Sequence, residues 1–198
     1  MKQKFIMMVG LPGSGKTTKA QEICSRYNAI GESCAVFSSD EIRKEILGDE
    51  NTQDSNDLVF TELHSRIIES LKNGKHAIYD ATNINYKRRM EFLQKIEDID
   101  CKKVCILMAV PFKECCQQNE SRERVVPKEV IDRMYRHFHI PYYYEGWDEI
   151  CLEYPIDWWD KAPAALSFMW NFKDYDQDNP HHELTLGNHL REAWLWID

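Results

Sequence analysis

Residues Gly10 to Thr17 read Gly-Leu-Pro-Gly-Ser-Gly-Lys-Thr, a complete phosphate-binding loop, and nothing else in the chain restricts the fold as strongly. Such a loop works only between a buried strand and the helix it opens. Both flanks are present: Phe5 to Val9 is a short apolar run suited to a buried parallel strand, and Lys16 to Tyr27 is helix-compatible. Gly10, Gly13 and Gly15 free the backbone so that its N–H groups can close around phosphate oxygens. Lys16 can then reach the β- and γ-phosphates, and the Thr17 hydroxyl can ligate the magnesium that bridges them. The residues expected to hold ATP are Gly10, Leu11, Pro12, Gly13, Ser14, Gly15, Lys16, Thr17 and Thr18, with Thr17 on the metal. The implied fold is an α/β, three-layer P-loop NTPase sandwich around a central parallel sheet.

The 198 residues suffice for one such domain, expected over 1–150, with a C-terminal extension over 151–198. The apolar start follows two lysines, but it runs straight into the loop and is too short for a signal peptide. No stretch approaches membrane-spanning length. The seven cysteines show no Cys-x-x-Cys pair and no zinc-like spacing, so free thiols and a cytoplasmic setting are expected. The net charge of −8 is uneven: residues 140–198 hold 12 acids and 3 bases, leaving 21 acids and 22 bases before them. The first part is nearly neutral, and the tail is acidic.

Further strands are expected at Cys34 to Ser38, His76 to Tyr79 and Val104 to Val110. The residues just past their carboxyl ends face the ligand crevice of an open parallel sheet. That places Asp40 and Asp80 beside the loop, with Arg43 one helical turn beyond Asp40. Capping competes as an explanation for both aspartates, since acids also begin helices. Polar residues 48–57 read as a loop, and Leu58 to Leu71 as an amphipathic helix ended by Asn73-Gly74. His64 in that helix reads as a packed or capping residue. Pro111 is expected at the first position of a helix. Asn119 to Pro127, with Arg122 and Arg124, is the expected lid, whose arginines could meet the charge that spreads over a transferring phosphoryl group. Scattered surface salt bridges are the competing reading.

The chain lacks Asn-Lys-x-Asp, a switch Asp-x-x-Gly and Leu-Ser-Gly-Gly, and it is short for an oligomeric ATPase. A small kinase remains. In order and spacing, Gly10 to Thr17, Asp40-x-x-Arg43, Asp80-x-Thr82-Asn83-x-Asn85-x-x-Arg88-Arg89 and Asn119-x-x-Arg122 resemble the kinase domain of phage polynucleotide 5′-hydroxyl kinase and its bacterial RNA-repair relatives. The resemblance covers roughly residues 4 to 150. It implies that Asp40 is the general base, that Arg43 holds an acceptor phosphate with Asp80 orienting it, and that Arg122 is the lid arginine on ATP. Gln118 departs from the pattern, and the spacing to Pro127 is one residue short. Both Arg122 and Arg124 therefore stand as lid candidates.

The implied activity is ATP- and magnesium-dependent phosphorylation of a single-stranded or terminal 5′-hydroxyl nucleic acid. A small hydroxyl compound as acceptor, or an ATP-sensing module without transfer, stays open. In the tail, Asp176 to His189 resembles the opening of an HD-type phosphohydrolase domain, which would imply a fused or partner hydrolase domain.

Overall fold

The computed structural model describes residues 2–48, 56–122 and 124–153. Strands β1 (Lys4–Val9), β2 (Cys34–Ser38), β3 (His76–Asp80), β4 (Lys102–Met108) and β5 (Glu149–Glu153) form one sheet in the order β2-β3-β1-β4-β5. Every neighbouring pair is parallel. Among the described residues, six α-helices join them: α1 (Lys16–Ala29), α2 (Ser39–Leu47), α3 (Asn56–Lys72), α4 (Tyr86–Lys95), α5 (Phe112–Glu120) and α6 (Lys128–Arg136). A 3-10 turn, Tyr143–Glu145, precedes β5.

The central strand explains the layering. Phe5, Met7 and Val9 belong to one apolar cluster, with Ile42 of α2, Leu63 and Ile67 of α3, Phe92 of α4 and Cys115 of α5. Ile6 and Met8 belong to the other, with Ala20, Ile23 and Tyr27 of α1. A strand buried on both faces must be apolar throughout, as β1 is. Parallel crossovers are right-handed, and the chain leaves β1 toward β2 but leaves β3 in the opposite direction toward β4. Hence α1 lies on one face and α4 on the other.

Some boundaries differ from expectation. Pro111 is the residue before α5 rather than its first residue: its φ of −52° suits a helix, but its ψ of 143° is extended. β5 carries the sheet to Glu153, past residue 150. His64 is packed against Phe92 and Tyr79, as expected, and burial pushes its ring down to about 4. Cys34, Cys101, Cys105 and Cys115 are buried free thiols that pack as apolar groups.

Candidate active site

The phosphate-binding loop leaves β1 and enters α1 with Gly13 and Gly15 both at a φ of 80°, the left-handed region that glycine tolerates. Gly13 also has no room for a side chain, because a Cβ there would lie 2.2 Å from the carbonyl oxygen of Cys115. The loop therefore packs directly on α5. Lys16 is buried and folded back, its Nζ donating to the Leu11 carbonyl at 2.6 Å and lying 3.4 Å from Ser14 Oγ. Burial pushes its ammonium down to about 8, with the Asp80 carboxylate pulling the other way. A buried lysine so placed is short of negative charge.

Asp80 ends β3 opposite Ser38 of β2 and is itself buried. Desolvation raises its carboxyl above the usual range, opposed by the Thr17 hydroxyl and the Lys16 charge. Thr17 Oγ1 donates to Asp80 Oδ2 at 2.7 Å. Asp80 is no helix cap: α4 is capped by Asn85, whose side chain accepts from the Arg88 N–H. The turn between Asp80 and α4 is tied back to β1. Asn83, at a φ of 49°, donates to the Met8 carbonyl at 2.8 Å, and the Gly10 N–H donates to the Thr82 carbonyl at 3.0 Å.

Asp40 lies in the first turn of α2, whose cap position is Ser38. Its Oδ1 accepts from Arg43 Nη1 at 3.3 Å and from Arg124 Nη1 at 2.5 Å. Arg43 also donates from Nη2 to Asn56 Oδ1 at 2.7 Å. Its Nε is buried without a hydrogen-bond partner among the described residues. Arg122 is exposed, yet close enough for its charge to act on both Lys16 and Asp80. The start of the α5–α6 connection is fixed by Asn119, whose amide donates to the Val126 carbonyl at 2.8 Å and accepts from the Val126 N–H at 3.1 Å.

The loop, Asp40, Arg43, Asp80, Arg122 and Arg124 thus meet at the carboxyl ends of the strands. In this arrangement Asp80 bonds Thr17, while Arg43 is held by Asp40 and Asn56. Sequence reasoning missed Asn56, which it left inside a loop, although an asparagine directly before an apolar periodic run marks a helix start. It also missed Asn119 as the anchor of the connection and gave Asn83 no structural role of its own.

The residues fit the groups the loop implies. A charge-poor buried lysine and a glycine cradle suit a triphosphate, and the Thr17 and Asp80 oxygens are the hard donors that magnesium prefers.

Fold and site together define an α/β P-loop protein of kinase-like architecture. Residues 5–141 match the family described as AAA domain, more than half of the chain, and the chain belongs to that family. It is 26% identical over 149 residues to an L-seryl-tRNA(Sec) kinase of Methanococcus maripaludis, a match spanning 73% of this chain and 56% of that relative. Among solved structures, the Pnkp1/Rnl/Hen1 RNA repair complex contains a chain with a TM-score of 0.56 and 21% identity, covering 69% of this chain and 44% of that one. The APS kinase CysC of Mycobacterium tuberculosis, solved with AMPPNP and APS, gives 0.55 and 16%, covering 85% of this chain and 98% of that one.

The chain thus spans about half the length of this curated relative. The two structural likenesses show the fold. The kinase activities are those of the named relatives. The match ends at residue 141, so it gives the HD-type resemblance of residues 176–189 no support, and that stretch lies outside the described residues. Among the described residues, no helix is long and apolar enough to cross a membrane.

Proposed function

We propose that this chain is an ATP-dependent kinase that phosphorylates the 5′-hydroxyl end of a polynucleotide. The observation that carries the reading is the Asp40–Arg43–Asn56 group beside the phosphate-binding loop, with a buried guanidinium whose Nε is unpartnered among the described residues. A buried arginine with donors to spare suits an acceptor phosphate. The seryl-tRNA(Sec) kinase and the RNA repair complex support the same reading, since both names join P-loop relatives to RNA.

In this mechanism Lys16 leaves the Leu11 carbonyl for the β- and γ-phosphate oxygens. Asp40 takes the proton of the 5′-hydroxyl as its oxygen bonds to the γ-phosphorus, and the bond to the bridging oxygen breaks to release ADP. Arg122 offsets charge spreading over the transferred group. Thr17, with Asp80 behind it, would hold a magnesium ion that neutralises the phosphates.

The test is transfer of label from γ-labelled ATP to a short 5′-hydroxyl RNA or DNA, with Asp40→Asn in parallel. Transfer lost in the variant is the expected result; no transfer despite ATP binding overturns the acceptor assignment. A small hydroxyl acceptor is the second reading, favoured by the nearly neutral charge of residues 1–139, 21 acids against 22 bases. Competition by nucleosides and sugars against the oligonucleotide separates the two.

A further inference from the structure

Asp40 and Arg124 are separated by 84 residues in sequence, yet Arg124 Nη1 lies 2.5 Å from Asp40 Oδ1. Arg43 approaches the same oxygen at 3.3 Å. The oxygen best placed between the two arginines is therefore already engaged, although Asp40 is the group assigned to take a proton. Arg43 is fixed by Asn56 and by burial. Arg124 comes instead from the connection between α5 and α6, whose start is anchored at Asn119 and Val126. The same connection carries Arg122, whose charge reaches Lys16 and Asp80, and the charge of Asp40, which Arg124 holds, reaches both as well, so a polyphosphate on the loop would lie near both arginines.

We propose that Arg124 is a positioning residue that occupies Asp40 in the nucleotide-free enzyme and moves to the polyphosphate when a nucleoside triphosphate binds. The exchange imposes an order in which the triphosphate enters first and the acceptor hydroxyl second. The inference rests on the assignment of Asp40 as base. A guanidinium exchanges one anionic partner for a more highly charged one, and this contact couples the two ligands reciprocally. Premature engagement of an acceptor is discouraged because its hydroxyl finds the base taken.

Two measurements on wild type and Arg124→Gln test this. The first is binding of a 3′-labelled 5′-hydroxyl oligonucleotide, by fluorescence anisotropy, with and without AMPPNP. In wild type AMPPNP should tighten binding about tenfold, within the usual range of coupling between sites. In Arg124→Gln the nucleotide-free protein should already bind more tightly than nucleotide-free wild type, and AMPPNP should add little.

Loss of a cation that merely contacted nucleic acid would weaken binding instead, and that result overturns the proposal. The second measurement needs no acceptor: labelling of Asp40 by a carbodiimide and an amine, read by mass spectrometry on the nucleotide-free proteins. Faster labelling in Arg124→Gln is expected; equal rates overturn the proposal. If no oligonucleotide binds in any arm, the polynucleotide reading fails, while the labelling still decides whether Arg124 covers Asp40. Arg124→Met provides a second variant should Arg124→Gln fold poorly.

Discussion

Arg89 and Arg43 are both buried arginines paired with a carboxylate, and the two pairs are built in opposite ways. Arg89 donates from Nε and Nη2 to Glu145 at 2.7 and 2.5 Å, from Nη1 to the carbonyls of Asn83 and His139, and from Nη2 to that of Ile140. Glu145 also accepts from Trp147 Nε1 and the Tyr142 N–H. The side chains of that pair are 1% and 0% exposed. Around Arg43, Nε has no partner among the described residues, and the Asp40 side chain is 40% exposed. A sealed ion pair persists only when every donor is met, because desolvation is otherwise too costly. An open pair can keep donors for a ligand. The first cluster joins α4 to the segment after α6, and the second faces the phosphate-binding loop. The contrast separates scaffold from site.

The largest expected effect tests the sealed pair. Arg89→Ala or Glu145→Ala should destabilise the fold by roughly 3–5 kcal/mol in urea unfolding, because each strands a buried charge. A loss within ordinary surface scatter would mean that the pair is not sealed. Next, Asp40→Asn should cut transfer by ~10²-fold or more, as expected for removal of a general base. Its unfolding midpoint should stay near wild type; a collapsed midpoint would move Asp40 to the scaffold side of the comparison.

Lys16 gives a smaller, pH-dependent effect. Burial holds its ammonium at about 8 in the empty site, so the charged form is present below that pH and is lost above it. Bound phosphate favours the charged form, so nucleotide binding above pH 8 should take up protons, with affinity falling by up to about tenfold per pH unit. Calorimetry in buffers of different ionisation enthalpy measures the uptake, and pH-independent affinity through this range would contradict the assignment. The smallest effect is that of Arg124→Gln on stability. Its partner is half open to solvent, and the loss should stay below about 1 kcal/mol by urea unfolding. A larger loss would make this contact part of the scaffold.

Much of the scaffold was legible because its signals are local. β1 had to be apolar on both faces, and the helix ending at Asn73-Gly74 is followed by a glycine at a φ of 72°. β5 escaped notice for the opposite reason. Glu-Ile-Cys-Leu-Glu at the sheet edge is only partly buried, so it blended into the acidic tail instead of forming an apolar run. Arg88 and Arg89 looked alike as neighbours, yet Arg88 is exposed and Arg89 is the most buried cation described. One residue of helix turns a side chain by about 100°, enough to exchange solvent for core.

The sequence by itself determined the phosphate-binding loop, the strand and helix that flank it, the parallel α/β architecture and the two aspartates at strand ends. These follow from spacing and apolar pattern, which act over a few residues. Tertiary structure alone decided that Asn56 holds Arg43, that Asn119 anchors the α5–α6 connection, and that Arg124 rather than Arg122 pairs with Asp40. It likewise decided that Arg89 belongs to the core. Those contacts join residues distant in sequence, and no local pattern encodes a partner that only the packing of the sheet and its helices brings within hydrogen-bond reach.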